Sequence, residues 1–206
     1  ASWMRMLLCE LNRIHSHLVW LGTSGLELGA ISMFWYCFRE REKVLSIYEH
    51  VCGARMTASY IRVGGLAMDI PEGFLDRCQK FVDEMPAHTD EYEKLLSKNP
   101  IWLARTKDVA RLSRKDAIAL GATGPVLRGS GEKWDLRKRQ PYCDYDEYDF
   151  EVPTGQAGDA YDRYMVRVQE IRQSTRIAKQ AIAKIRKMGE KGEYRLRDYK
   201  YVLPPK

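Results

Sequence analysis

From Tyr161 onward an apolar or small residue recurs at steps of three and four: Tyr161, Tyr164, Val168, Ile171, Thr175, Ala178, Ile182 and Ile185. That spacing holds one stripe on one side of an α-helix for more than three heptads, and only other long helices lying beside it can bury such a stripe. Asp159 stands where an N-cap belongs, so the helix is read as 159–188. A second stripe, Leu7, Leu11, Ile14, Leu18 and Leu21, obeys the same rule and is read as ending at Gly22. A third helix is expected from Leu26 to about Cys52, closed by Gly53 in a left-handed C-terminal cap. Two helices this long beside a third predict a mainly α, bundled chain.

The connections are legible from their punctuation. Tyr60-Ile61-Arg62-Val63 is short and β-rich, and Gly64-Gly65 follows it, which predicts an extended connector and a turn. A helix is expected to begin near Pro71, to bend or break at Pro86, and to stop before Asn99-Pro100. Ser113 is a candidate N-cap for a short helix through Leu120. Between 122 and 158 the glycines, prolines and aromatics lose helical spacing, which predicts loops and short strands. The expected organisation is a single domain, the central part of a longer subunit. It has a helical part at 1–121, a loop and short-strand segment at 122–158, the long helix at 159–188 and a basic tail at 189–206.

The net charge of +6 is confined to one place. From Lys179 to the end, nine basic residues face three acidic ones, which accounts for the whole excess. The preceding chain is formally neutral, which argues against a nucleic-acid-binding face across the body. The five cysteines are scattered and never two residues apart, so neither a disulfide framework nor a zinc or iron–sulfur ligand set is expected. The most apolar run, Ala30 to Phe38, is far short of the roughly 20 residues of a membrane helix.

Motifs for phosphate loops, dinucleotide glycines, zinc proteases and serine hydrolases are absent. His15 and His17 are two apart, which on a helix turns them to different faces and makes them a poor metal pair. Val19, Thr23 and Glu27 fall at successive i, i+4 steps, and Phe34 is placed on the same side seven residues on. Glycines 22, 25 and 29 would let a second backbone or a flat ligand come close. Glu27 is then either a bridged carboxylate between packed helices or a buried acid with a raised pKa, poised to exchange a proton. Arg39 to Lys43 is a run of five charges that either forms an exposed mixed face or turns some members inward. Arg128, Trp134, Asp135, Arg137 and Lys138 lie in glycine-bounded text, where bracing of Arg against carboxylates within the chain is the simpler reading.

Taken together, several segments resemble the 49 kDa subunit family of respiratory complex I, the D-type subunits of the bacterial NADH:quinone oxidoreductase. They include Glu10-Leu11-Asn12-Arg13, Arg39-Glu40-Arg41-Glu42-Lys43, Gly53-Ala54-Arg55-Met56, Tyr60-Ile61-Arg62-Val63-Gly64-Gly65, Trp134-Asp135-Leu136-Arg137-Lys138 and Gly158-Asp159-Ala160-Tyr161-Asp162-Arg163-Tyr164. The resemblance runs in order from Leu7 to about Ile185. It implies a helical bundle like that of nickel–iron hydrogenase large subunits, with short strands and loops. Hydrogenases hold nickel with paired Cys-x-x-Cys motifs. This chain has none, so no metal or cluster is expected on it, and NADH and the iron–sulfur clusters are expected on other subunits.

The resemblance further implies a quinone substrate, reduced at a site shared with the subunit that holds the terminal cluster and coupled to ion translocation elsewhere in the complex. By it, Glu27 is the catalytic acid, occupying the position of an aspartate in most relatives. Val19, Thr23 and Phe34 line the quinone cavity, and Arg62 is structural. Expected partners are that iron–sulfur subunit, the 30 kDa subunit and the membrane quinone-channel subunit. The expected location is peripheral, on the cytoplasmic face of the bacterial inner membrane or the mitochondrial matrix face. Upstream headgroup ligands belong to a segment outside this chain, so the chain alone is expected to be inactive. A helical scaffold without chemistry of its own is the alternative.

Overall fold

The computed structural model describes residues 1–189, 192–196, 198 and 200. Helix α1 spans Ser2–Glu27, α2 Ile31–Cys52, α3 Phe74–Leu96 and the last helix Ala160–Met188. Between α3 and that last helix lie four short ones: α4 at Pro100–Thr106, α5 at Arg114–Ala119, α6 at Gly124–Gly129 and α7 at Leu136–Arg139. A 3-10 turn covers Tyr145–Glu147, and the long helix is therefore α8. The mainly helical bundle follows from the stripes. Leu7, Leu11, Ile14, Leu18 and Leu21 of α1 meet Ile171, Ala178 and Ile182 of α8 in one core, which Met33, Cys37, Phe74, Phe81 and Val82 complete. Helices α1 and α8 run antiparallel, since Trp3 meets Lys184 at one end while Trp20 meets Arg167 toward the other.

Helix α1 does not stop at Gly22. It continues to Glu27 because Gly22 and Gly25 are contact points for α2: a Cβ on Gly25 would lie 2.8 Å from Cβ of Met33, and one on Gly22 3.2 Å from Cβ of Cys37. Close helix packing outweighs the roughly 1 kcal/mol that each internal glycine costs a helix. The turn falls instead at Leu28 to Ala30, where Gly29 has φ +90° and Arg105 Nη1 donates to the Leu28 carbonyl at 2.7 Å. Gly25→Val should therefore force α1 and α2 apart and cost about 1–3 kcal/mol in the full-length protein. Chemical denaturation would check this, and an unchanged midpoint would show that the helices do not meet there.

At the other end of α2, Gly53 takes the left-handed cap expected of it, with φ +75°. Pro86 lies inside α3 without ending it, because Val82, Met85 and Thr89 around it are buried and hold the flanking turns. Helix α3 ends at Leu96, before Asn99-Pro100 as expected. Asn99 caps α4 by accepting from the Ile101 and Trp102 amides, and Pro100 fills the first turn. Ser113 and Asp159 cap α5 and α8 as expected. The 122–158 segment contains short helices and, among the described residues, no strand. The strands lie at Ile61–Arg62 and Gly65–Leu66, paired antiparallel. Of the basic tail, residues 190, 191, 197, 199 and 201–206 lie outside the described residues. Of the described part, residues 194–196 touch the strand hairpin, with the Leu66 amide on the Tyr194 carbonyl and the Leu196 amide on the Gly64 carbonyl. Gly65 is needed there, since a Cβ would sit 2.4 Å from the Tyr194 oxygen.

Candidate functional site

The long helices are cross-braced by ionised side chains that are mostly buried. Glu10 of α1 is fully buried and receives Arg137 Nη1 at 3.1 Å, Arg13 Nε at 3.3 Å and the Tyr145 hydroxyl. Arg137 also binds Asp135 at 2.7 Å through Nη2, and Asp135 caps α7. Burial by itself would push the Glu10 carboxyl up, but the charges of Arg13 and Arg137 hold it below the ordinary range. For Arg137 burial pulls down, and its hydrogen bond to Asp135 together with the charge of Glu10 more than reverses it. Seven residues along α1 from Glu10, two turns on, His17 Nε2 lies 2.7 Å from Glu170 Oε2, whose other oxygen takes Arg128 Nε at 2.6 Å. Burial works against the Glu170 carboxylate, yet the hydrogen bond from His17 and the charge of Arg128 bring its pKa down to about 2. Burial keeps His17 below its usual value, so the neutral ring donates through Nε2.

The intrachain bracing expected of Arg128, Asp135 and Arg137 is thus present, and it is buried. Its carboxylate ends, Glu10 and Glu170, are not singled out by sequence reasoning, although a signal exists for both. Glu10 lies three residues after Leu7 and four before Ile14, and Glu170 shares its face with Val166 and Ser174, all buried. An acid on an apolar stripe must be paired. Among the five charges from Arg39 to Lys43, Glu40 is the one turned inward. It is fully buried, with Arg39 Nε at 2.5 Å, Lys43 Nζ at 2.7 Å and His88 Nε2 at 3.3 Å. Potential ligand atoms of Glu40, Glu84 and His88 come within 4.8 Å of one another, but Lys43 bridges both carboxylates and already supplies the positive charge. His15 and His17 do part company, His15 lying edge-on to Tyr48.

The four residues expected at the quinone site sit on the α1–α2 hairpin, but not on one helix. Val19, Thr23 and Glu27 belong to the last turns of α1, and Phe34 to the start of α2. Val19, Thr23 and Phe34 are half-buried; Glu27 is exposed. The Thr23 hydroxyl donates to the Val19 carbonyl at 2.8 Å, which leaves its oxygen lone pairs free to accept. Phe34 stacks on Phe38 at 4.0 Å and its Cα lies against Gly22. The expectation of a buried Glu27 is corrected here: Glu27 ends α1 about 140° around the helix from Gly22, and the close approach those glycines allow is filled by α2. Glu27 has no hydrogen-bond or ion-pair partner among the described residues. A cavity of about 1100 Å³ lies at the far end of the bundle, lined by Trp3, Leu66, Ile70, Leu75, Ile185 and Tyr194 among others, and none of the four reaches it. Arg62 is exposed on the hairpin. Its Nε donates to the Ser59 carbonyl at 3.0 Å, while Arg5 holds the Arg62 and Gly65 carbonyls.

Fold and site define a mainly helical protein whose long helices are locked by buried ion pairs and which carries at the end of α1 a carboxylate without a partner among the described residues. The family described as respiratory-chain NADH dehydrogenase, 49 Kd subunit, matches residues 27–206. The chain is 52% identical over its full 206 residues to the second D-type subunit of the NADH-quinone oxidoreductase of Roseiflexus sp. (strain RS-1), covering 49% of that protein. It is 53% identical over 183 residues, 89% of its length, to the second D-type subunit of Koribacter versatilis (strain Ellin345), of which it covers 46%. With the second C/D-type subunit of Aquifex aeolicus (strain VF5) the identity is 47% over the whole chain and 35% of the relative is covered. This chain belongs to the 49 kDa subunit family of the respiratory-chain NADH dehydrogenase. It spans about half the length of the D-type relatives it matches.

Proposed function

We propose that the chain is part of a peripheral-arm subunit of an NADH:quinone oxidoreductase and that its α1–α2 hairpin contributes to the site of quinone reduction. Glu27 carries the reading. Its carboxylate stands at the C-terminal end of α1, and among the described residues it has no hydrogen-bond or ion-pair partner. On the same α1–α2 hairpin, Leu26 is 40% exposed, Ile31 60% and Trp35 67%. An unpartnered acid on a hairpin that also bares apolar side chains is what a surface looks like when its ligand and its neighbours come from outside the chain.

In this reading Glu27 holds or passes a proton at its carboxylate while the quinone is reduced by two electrons and two protons supplied through the complex. Val19 and Phe34 present apolar surface, Thr23 offers an acceptor oxygen, and Arg62 holds the hairpin. NADH oxidation and the iron–sulfur clusters belong to other subunits, as does ion translocation. The neighbours are the subunit that bears the terminal cluster, the membrane quinone-channel subunit and the 30 kDa subunit. Relatives named as C/D-type subunits support the last of these. Among the described residues no helix is long and apolar enough to cross a membrane, which agrees with a peripheral position.

In the assembled complex, Glu27→Gln should lower the rate of NADH-driven quinone reduction and of coupled ion pumping at least tenfold, with electron transfer from NADH to ferricyanide unchanged. Native rates of both quinone reduction and pumping would sink the role given to Glu27. The alternative, a helical scaffold without chemistry, predicts no change on Glu27→Gln in a complex that still assembles.

A further inference from the structure

Along α8 five basic residues are paired with carboxylates. Arg172 pairs with Asp90 and Glu93, Arg176 with Asp149, Lys179 with Asp83, Lys184 with Glu147 and Arg186 with Asp76. The two arginines nearer the N-terminus of α8 have no carboxylate in contact among the described residues. Arg163 donates to the Gly158 and Ala110 carbonyls, and Arg167 donates from Nη1 to the Arg163 carbonyl at 2.8 Å. Both are half-buried. The Arg167 guanidinium lies 4.1 Å from the centre of the Trp20 ring, and the Arg163 stem lies where a Cβ on Gly129 would stand 2.9 Å away.

Nearby acids are already committed. Glu170 is shared between His17 and Arg128, Asp159 accepts the Asp108 and Asp162 amides, and Asp162 accepts those of residues 156–158. The cost shows on Arg167, whose pKa is pulled down to about 10 by burial and by the charges of Arg163 and Arg128, against the opposing pull of Glu170. Two partly desolvated guanidiniums with carbonyls for company are a site short of an anion.

We propose that Arg163 and Arg167, beside the Trp20 ring, form a receptor for a side-chain carboxylate carried on an acidic segment of a neighbouring subunit. The Arg fork matches a carboxylate in two parallel hydrogen bonds, and Nε and Nη2 of Arg167 make none among the described residues. The recess favours a peptide. A flat anionic membrane would meet long exposed cations, whereas these two are sunk between α1, α6 and α8. Trp20 is seven residues from Glu27 and on the same face of α1, so an acidic segment seated here would border the hairpin given to the quinone. The inference rests on that reading only in requiring a neighbouring subunit.

The test is zero-length carbodiimide coupling in the detergent-solubilised complete complex carrying Arg167→Lys, with peptides identified by mass spectrometry. The introduced amine should form an amide with an Asp or Glu of another polypeptide, and Arg167→Gln should at least halve the sodium chloride concentration that releases the subunit. Arg176→Lys is the control and should couple to Asp149 of its own chain. Coupling only to Glu27, Glu170 or any other acid of the same subunit, or to phosphatidylserine, overturns the proposal, as does no coupling while the control couples. Should Arg167→Lys fail to fold, Arg163→Lys carries the same expectation. Co-purification of the iron–sulfur subunits without the cross-link sinks this inference alone. If no such subunit accompanies the wild-type protein through purification, the functional reading falls as well.

Discussion

Arg137→Met in the full-length subunit should lower its unfolding free energy by about 3–5 kcal/mol, because removing one partner of a buried ion pair leaves the others charged and desolvated. Here the abandoned partners are two carboxylates, Glu10 and Asp135, both buried, with Arg13 as the one remaining cation in contact with Glu10 among the described residues. The braced elements would loosen together, since Glu10 lies on α1 while Asp135 and Tyr145 fix the loop that crosses it. Arg186→Gln, which breaks a single exposed contact with Asp76, should leave the denaturation midpoint nearly unchanged. Comparable midpoints for the two variants would mean that the Glu10 network is open to water.

The second large effect is on the His17–Glu170–Arg128 triad. Glu170→Leu should cost a similar 3–5 kcal/mol at neutral pH, since it strands the Arg128 guanidinium in the interior. The same triad makes the wild-type protein acid-sensitive. Glu170 has a folded pKa of about 2 against an ordinary 4.5, so the unfolded chain binds the extra proton between those values. Its contribution, roughly 3 kcal/mol, is complete above about pH 4.5 and is lost as the pH falls toward 2. His17 is also depressed when folded, and protonation again favours the unfolded chain, so a loss of the same sign begins as the pH falls below about 6.5. Urea unfolding at pH 7, 5 and 3 would trace both, and stability that stayed level from pH 7 to 3 would contradict the pairing.

The positions where sequence reasoning and structure diverge share one cause. Gly22 and Gly25 look like helix breakers when only the local chain is considered, and they become packing surfaces once α2 arrives. Pro86 looks like an end to α3, yet the buried turns on each side carry the helix through. The Val19, Thr23 and Glu27 ladder does lie on one helix. Phe34 does not share it, because moving the turn from Gly22 to Gly29 puts that ring on the next element and makes Glu27 the last residue of α1. Caps are different. Ser113, Asp159 and Gly53 act within one or two turns of themselves, so no distant residue could overrule them.

What the sequence determined by itself was everything governed by short range and by period: which stretches are long helices, which faces of them are apolar, where several of them start or stop, and the family to which the chain belongs. Tertiary structure decided which charges are buried and with whom. Glu10 meets Arg137 across 127 positions of chain and His17 meets Glu170 across 153. The stripes can mark Glu10 and Glu170 as acids on a buried face but cannot name their partners, because the energy that fixes each pair exists only after the helices have excluded water around both.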